Sequence, residues 1–168
     1  MKHKITLGKA DEGDIEEICR LADDVMCRYE DFSSIDREKA LGWTHLTIAS
    51  NIQNYVTFYL EGHKAGYYLI SRNGDDDLYE IYHLFVFENM QGKGIGTAIV
   101  HHILHETNGR LFVYIYTGDI STYTMFANMG FMIQEIYHRT RYKMVYHPRE
   151  MAEYTGCVDS LLDDSEDI

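Results

Sequence analysis

Three glycines at alternate positions separate an apolar segment from a run of residues with helical hydrophobic spacing. They are Gly92, Gly94 and Gly96, in the stretch FVFENMQGKGIGTAIVHHIL at residues 85–104. The first turn of a helix leaves several backbone N–H groups without partners and carries partial positive charge, and glycine lets a backbone approach a ligand closely. The order of strand, glycine turn and helix therefore predicts a binding site for an anion such as phosphate.

Two common nucleotide-binding motifs fit this loop poorly. A P-loop requires G-x-x-x-x-G-K-[ST], whereas Lys93 is followed by Gly94. The dinucleotide fingerprint G-x-G-x-x-G requires a third glycine where Thr97 stands. The phosphate-bearing ligand is therefore expected to belong to another class.

Charge also limits the classes of partner. The 168 residues, about one domain in length, carry a formal net charge of −12, which argues against a nucleic-acid partner because such partners require clustered lysine and arginine. Half of this charge lies in residues 147–168, which contain seven acidic residues and one arginine. We interpret residues 147–168 as an acidic C-terminal extension that is partly helical or disordered, with attraction of cationic substrates as the alternative.

Cysteine usage and hydropathy predict the compartment. Cys19, Cys27 and Cys157 show no C-x-x-C spacing, so neither a disulfide framework nor a zinc ribbon is indicated. The N-terminal residues lack the long apolar segment of a secretory signal, and no apolar run approaches the roughly 20 residues that span a bilayer. We expect a cytoplasmic protein that does not bind membranes.

Hydrophobic periodicity predicts an α/β protein with a mixed sheet flanked by helices. The aromatic and branched segment at Leu78–Phe87 is expected to lie in the middle of the sheet with both faces covered. The predicted elements are a strand at Ile5–Leu7, helices at Gly13–Tyr29 and Ser34–Ser50, a hairpin within Tyr55–Arg72, a strand at Leu78–Phe87, a helix at Gly94–Glu106, a strand at Arg110–Thr117, a helix ending at Gly130, and two strands between Phe131 and His147.

Two motifs together resemble a known family. Gln91, Gly94 and Gly96 fit the pattern Q/R-x-x-G-x-G/A, and the segment ANMGF places Gly130 at 34 residues beyond Gly96. In these features the chain resembles the GCN5-related N-acetyltransferases from about residue 5 to residue 146, most strongly over residues 80–131. The resemblance implies a GNAT acetyltransferase domain at residues 1–146, with an acyl-coenzyme A N-acyltransferase fold whose central sheet is mostly antiparallel.

The same resemblance implies acetyl-coenzyme A as co-substrate. Backbone N–H groups of the glycine loop would bind its pyrophosphate, and the preceding strand would pair with its pantetheine arm. The N–H of Val86 would polarise the thioester carbonyl, a kind of contact that contributes about 2.7–4 kcal/mol in other enzymes. Asp119 stands where the family usually carries an asparagine. The implied cofactor-binding residues are Leu84, Phe85, Val86, Gln91, Gly92, Lys93, Gly94, Ile95, Gly96, Thr97 and Asp119.

Proton transfer would involve two further side chains. Glu80, six residues before Val86, matches the position of a catalytic glutamate in many family members, and an ordinary strand carboxylate is the alternative. Strand alternation predicts that Tyr82 shares the face of Glu80 and that His83 points the other way. The family's usual tyrosine acid is replaced by Phe126, so the proton for the departing thiolate would come from Tyr123 or from water.

The predicted function is transfer of an acetyl group from acetyl-coenzyme A to a primary amine by direct attack. The acidic composition favours a small cationic amine as acceptor over a protein. A non-catalytic acyl-coenzyme A sensor and a protein lysine or N-terminal acetyltransferase remain alternatives, and the extension at residues 147–168 leaves a homodimer open. His101 and His105 lack an obvious third ligand and are interpreted as solvated, so no metal site is predicted.

Overall fold

The computed structural model describes residues 4–74 and 77–148, in which strands and helices follow one another in the predicted order. Residues 149–168, most of the predicted extension, lie outside the described residues. The elements are β1 (Ile5–Lys9), α1 (Ile15–Tyr29), α2 (Arg37–Ser50), β2 (Val56–Leu60), β3 (His63–Asn73), β4 (Leu78–Val86), α3 (Ile95–Glu106), β5 (Leu111–Tyr116), α4 (Ile120–Asn128), β6 (Phe131–Tyr137) and β7 (Arg141–Tyr146).

The seven strands form one sheet in the order β1-β2-β3-β4-β5-β7-β6. β4 and β5 pair in parallel, and every other pair of neighbouring strands is antiparallel. The predicted mixed, mostly antiparallel sheet is therefore confirmed, with β4 at its centre. None of the helices in the described part of the chain has the length and apolar content needed to cross a bilayer.

Aspartates define the starts of the first two helices. Asp11 and Asp14 form a reciprocal capping box on the short 3-10 helix Glu12–Asp14, which leads directly into α1. In α2 the cap is Asp36, whose carboxylate accepts a hydrogen bond from the Lys39 N–H at 3.1 Å. The predicted start of this helix at Ser34 is wrong, since α2 begins at Arg37.

Apolar side chains form a separate core on each face of the sheet. α3 covers one face, where Ile99, Val100 and Ile103 are almost completely buried against β4 and β5. α1 and α2 cover the other face through Ile18 and Ile48, which pack with Tyr55 just before β2 and with aromatic residues of β3 and β4. We refer to these as the α3 face and the α1/α2 face.

A β-bulge interrupts β4 near its middle. Leu69 and Ile70 are consecutive on β3, but their partners on β4 are His83 and Ile81. Tyr82 is therefore an extra residue on β4, and such a residue reverses which side chains face each side of the sheet. As a result, His83 packs in the α1/α2 core with Phe85, on the face that Glu80 also occupies. The prediction that His83 points away from the face of Glu80 is wrong for this reason.

β4 and β5 pair only at one end. Their register joins Tyr79 to Leu111, Glu80 to Phe112 and Ile81 to Val113. β4 then continues to residue 86 and β5 to residue 116 without further pairs between them. The two strands therefore diverge within the sheet and leave a gap between their second halves.

Gly66 and Gly42 provide a stability test of the strand packing. A Cβ at Gly66 would lie 1.9 Å from the Phe85 carbonyl oxygen, whereas a Cβ at Gly42 in α2 would meet nothing within 4 Å. We expect Gly66→Ala to lower the free energy of unfolding by at least about 2 kcal/mol. Gly42→Ala should raise it by about 0.5–1 kcal/mol, because alanine is the better helix former. Urea denaturation measures both, and wild-type stability for Gly66→Ala would contradict the close approach of β3 and β4.

Candidate active site

The backbone of β4 directs hydrogen-bonding groups into the gap beside β5. The Phe87 N–H donates to the Ala65 carbonyl of β3 at 2.8 Å. Because N–H groups alternate sides along a strand, the N–H and C=O of Val86 point away from β3 and toward the gap. The Val86 carbonyl accepts a hydrogen bond from Gln91 Nε2 at 3.1 Å, so the loop is connected to the strand edge that it follows.

The glycine loop presents backbone N–H groups at the start of α3. Gly92 and Gly94 both have φ of +75°, in the left-handed region that favours glycine, and a Cβ on either would meet nothing within 4 Å. Gly94 precedes the helix, and its carbonyl accepts the first intrahelical bond from the Ala98 N–H at 3.1 Å. The N–H groups of Ile95, Gly96 and Thr97 come before that bond and are the free donors of the first turn.

Gly96 has a different role from the other two glycines. A Cβ at Gly96 would lie 3.2 Å from Met125 Sδ and 3.7 Å from Val86 Cγ2. The missing side chain therefore lets α3 approach α4 and the end of β4 closely. The first turn of α3 also contains no acidic residue. The loop thus combines open space, N–H donors and an uncompensated helix N-terminus, which are the requirements of a pyrophosphate site.

Glu80 lies on the α1/α2 face, where the gap begins. Its neighbours along β4, Tyr79 and Ile81, face the α3 core, and its register partner is Phe112 of β5. Burial raises the pKa of Glu80 above its ordinary value, while the positive charges of Lys143 and Arg141 oppose the rise. A carboxylate with a raised pKa, next to a site where an amine could enter, has the properties of a general base.

Tyr82 is the exposed residue of the bulge. Its side chain is 37% exposed, so the prediction that both faces of β4 are covered is wrong at this point. Burial of part of the ring and the charge of Glu80 raise the pKa of Tyr82, and a side-chain hydrogen bond with Thr47 of α2 opposes the shift. Tyr82 is therefore close to both Glu80 and α2, as a water chain to Glu80 would require.

His83 is buried beneath this part of the site. Its Nδ1 lies 2.7 Å from the Tyr55 hydroxyl, and its ring packs against Phe85 with centroids 4.8 Å apart. Burial lowers the pKa of His83 to about 4, so the ring is neutral near pH 7. His83 thus has a structural role in supporting the strand that carries Glu80.

The predicted residues of α4 take separate positions. Tyr123 is half-buried on the α3 face, with its ring centroid 5.6 Å from that of Tyr142. Phe126 is 1% exposed and packs edge-on against Phe131, so it belongs to the core. The Asp119 carboxylate accepts from the Thr122 N–H at 3.2 Å and caps α4; a contact of Asp119 with the co-substrate stays a prediction.

An ion pair on the α1/α2 face was not predicted from the sequence. Arg141 of β7 donates to Glu30 Oε2 at 2.7 Å, and the Glu30 side chain is only 4% exposed. The same guanidinium stacks 5.0 Å above the Tyr116 ring. No periodicity could have revealed this contact, since 111 residues separate the two partners.

Comparison with protein families gives one match by sequence. A model of the acetyltransferase (GNAT) family matches residues 18–131, about two thirds of the chain. A search of curated proteins found no significant match.

Comparison with solved structures gives many matches to the fold. An N-acetyltransferase from Staphylococcus aureus Mu50 has a TM-score of 0.64 and 13% identity, covering 83% of this chain and 98% of its own. PaiA N-acetyltransferase from Thermoplasma acidophilum, in complex with coenzyme A, has a TM-score of 0.63 and 12% identity over 85% and 98% of the two chains. N-acetylglutamate synthase from Neisseria gonorrhoeae, complexed with coenzyme A and L-arginine, has a TM-score of 0.62 and 19% identity over 87% of this chain and 34% of its own. At these identities the likeness shows a shared fold.

The buried histidine predicts a pH dependence of stability. In the unfolded chain His83 binds a proton near pH 6.5, whereas the folded protein binds one only near pH 4. Neutral His83 therefore makes its full contribution to the free energy of unfolding above pH 6.5. This contribution decreases by up to about 3 kcal/mol as the pH falls to 4.

His83→Gln provides the control, since its amide oxygen can still accept from Tyr55 and does not titrate. Urea denaturation at several pH values between 7 and 4.5 should show a steeper loss of stability for the wild type than for His83→Gln. Parallel curves for the two proteins would contradict the burial of a neutral His83.

Proposed function

The chain belongs to the GNAT acetyltransferase family and is an acetyl-coenzyme A-dependent N-acetyltransferase; we propose that its acceptor is a small primary amine, which attacks the thioester directly. One observation carries the proposal. Glu80 and the backbone N–H of Val86 lie on the same strand, at the two ends of the gap beside β5, and the glycine loop follows that strand. A base, an oxyanion donor and an anion site are thereby arranged along one continuous segment.

The residues of the gap and loop fit acetyl-coenzyme A. In the proposed site, the N–H groups of residues 91–97 bind the pyrophosphate, and the open edge of Leu84–Val86 pairs with the pantetheine arm. Acetyl-coenzyme A supplies the activated acetyl group. The Val86 N–H donates to the thioester oxygen, where negative charge develops during attack, and such preorganised donors stabilise that charge. Gln91 holds the loop against the Val86 carbonyl and keeps this donor in position.

Glu80 acts as the general base in this proposal. It removes a proton from the protonated amine, directly or through a water held by Tyr82, because only the neutral amine is a nucleophile. The neutral amine nitrogen then attacks the thioester carbonyl carbon and forms the new C–N bond, and the C–S bond breaks. The nitrogen loses its extra proton to give the amide, and the thiolate takes up one proton to leave as coenzyme A. No covalent bond to the protein forms, so positioning the two substrates side by side supplies much of the rate.

Tyr123 is the proposed source of the thiolate's proton, with water as the alternative. Tyr123 packs against the core on the α3 face, where Val86 also packs, while Glu80 lies on the opposite face. The base and the acid would thus act from opposite sides of the sheet, which suits an acceptor and a thioester that meet in the gap.

A small cationic amine is favoured as acceptor by two features. The chain has a net charge of −12, which attracts cations in general, and Glu80 offers a partly buried carboxylate to one ammonium group. A cytoplasmic location is part of the same proposal. It is supported by Cys19 and Cys27, which are both free thiols.

Co-substrate binding is tested with two glycine variants that strain the backbone equally. Gly94→Ala places a methyl group in the cradle and forces a left-handed φ on alanine, so the Kd for acetyl-coenzyme A should rise at least about tenfold. Gly62→Ala has a similar left-handed φ of +80° and equally open surroundings, but lies in the hairpin turn between β2 and β3. It should lose similar stability and keep its Kd within about twofold of wild type. Calorimetric titration measures both, and equal effects on Kd would argue against the loop as the pyrophosphate site.

The base is tested with Glu80→Gln, which removes the charge and keeps the shape of the side chain. We expect kcat to fall by about 10²- to 10⁴-fold while acetyl-coenzyme A binding is retained. In the wild type, kcat/KM should rise with pH through the raised pKa of Glu80, and the variant should lose this rise. Free-thiol release with a panel of amines measures both quantities.

Glu135→Gln is the matched control, because it removes one carboxylate from the edge strand β6. Its kcat should remain within about twofold of wild type. Equal activities for Glu80→Gln and wild type would remove Glu80 from the mechanism. Tight acetyl-coenzyme A binding without turnover on any amine would instead favour a non-catalytic sensor, and turnover confined to peptides would favour a protein acetyltransferase.

A further inference from the structure

Trp43 is an exposed aromatic residue on the helix beside the acceptor side of the sheet. It is the single tryptophan of the chain, and its side chain is 72% exposed. Leu46, three residues further along α2, is 64% exposed. A large apolar surface of this kind on a helix is a frequent feature of binding sites. Nothing in the chemistry of acetyl transfer described above uses these two residues.

Trp43 lies on the flank of α2 that also carries Thr47. Thr47 is one helical turn beyond Trp43, and its hydroxyl donates to the Trp43 carbonyl at 3.0 Å. Residues four apart in a helix are neighbours on its surface, so Trp43 and Thr47 share one flank. The Thr47 hydroxyl and the charge of Glu80 both act on the pKa of Tyr82, so Tyr82 lies near both residues. Trp43 is therefore on the side of α2 that faces Tyr82, the neighbour of the proposed base.

Further aromatic side chains lie across the sheet on the same face. Tyr114 follows Phe112 by two residues on β5, and its ring lies 5.2 Å from that of Tyr137 on β6. Tyr137 is 39% exposed, close to the 37% of Tyr82. The face of the sheet that carries Glu80 thus has an exposed indole on its covering helix α2 and exposed phenol rings on its strands.

Cations of the chain itself already occupy other rings of this face. Arg141 lies 5.0 Å above the Tyr116 ring, and Lys143 Nζ lies 4.9 Å from the Phe112 ring. A second ammonium group on the acceptor would compete with these side chains for aromatic faces and would be repelled by their charges. An uncharged apolar group meets neither obstacle.

We propose that the acceptor carries an apolar group, preferably an aryl ring, next to its primary amine, and that this group binds between Trp43 and the exposed tyrosines of the sheet. This specificity rests on the proposed function and narrows its substrate class. Glu80 receives the ammonium end, and the apolar end lies on the aromatic surface outside it. Trp43 is a specificity-determining residue, with no part in the bond-making step.

Selectivity between two amines tests the proposal. For the wild type, kcat/KM for 2-phenylethylamine should exceed that for ethanolamine by at least about tenfold, because burial of a phenyl ring outweighs burial of a hydroxyl. Hexylamine, with an alkyl chain of similar length, reports whether an aromatic ring is required. Spermidine reports whether a second ammonium is accepted, and a preference for it would overturn the proposal.

Substitutions assign the selectivity to Trp43. Trp43→Ala should reduce the preference for 2-phenylethylamine over ethanolamine by about tenfold through KM, and Trp43→Phe should restore most of it. Met132→Ala removes another exposed apolar side chain, 47% exposed on β6, and should leave both activities at wild-type values. An unchanged preference in Trp43→Ala would overturn the proposal.

Fluorescence provides a readout that does not depend on turnover. Because Trp43 is the sole tryptophan and is exposed, acrylamide should quench its emission strongly in the free protein. In the presence of coenzyme A, 2-phenylethylamine should protect Trp43 from quenching in both wild type and Met132→Ala, whereas ethanolamine should not. Equal quenching with and without 2-phenylethylamine would overturn the proposal. Protection without thiol release would retain this binding site and contradict the proposed acetyl transfer.

Discussion

The divergence of two parallel strands determines the rest of the site. β4 and β5 pair through three residues and then separate, so that β4 keeps β3 as a partner on one edge and opens its other edge to a gap. An open strand edge offers backbone hydrogen bonds to an extended ligand, as in β-strand addition. The glycine loop, our proposed pyrophosphate site, directly follows that edge, and Glu80, the proposed base, directly precedes it. A single strand therefore fixes the relative positions of all three groups, with no need for loops from distant parts of the chain.

A sheet that opens in its middle needs contacts that keep its two halves together. On the α3 face the common core performs this role, because Ile81 of β4 and Val113 of β5 are buried in the same cluster. On the α1/α2 face, α1 packs on the part of the sheet formed by β1–β4. Glu30, the residue directly after α1, binds Arg141 of β7 in the other part of the sheet. Burial alone would raise the pKa of Glu30, yet the hydrogen bonds from Arg141 hold it below its ordinary value. Loss of Arg141 would leave the buried carboxylate of Glu30 unpaired, so this ion pair connects the two parts of the sheet on the α1/α2 face.

Local features of the fold were predictable from the sequence, and long-range geometry was not. Helical spacing, strand-like runs and glycine punctuation located every α-helix and strand of the described residues, because these patterns depend on neighbours within a few residues. The bulge at Tyr82 was not predicted, because an extra residue in one strand can be recognised only from its pairing with the neighbouring strand. The bulge places His83 on the α1/α2 face, the same face as Glu80, the proposed base. The three glycines, which look alike in the sequence, divide into two with left-handed φ and one that permits helix packing.

An apolar residue at position 126 agrees with the free-energy costs of the two proton transfers in the proposed mechanism, one from the amine and one to the thiolate. At pH 7, removing a proton from an amine with a pKa of about 10.4 costs about 5 kcal/mol, whereas releasing a thiolate with a pKa of about 8.5 costs only about 2 kcal/mol. The proposed reaction would therefore depend more on its base than on its acid. Phe126 fills the core between α4 and β6, where a hydroxyl would need a partner of its own. The side chain at position 126 can thus contribute to core packing. In the proposed mechanism, Tyr123 or water would supply the proton that the thiolate takes up.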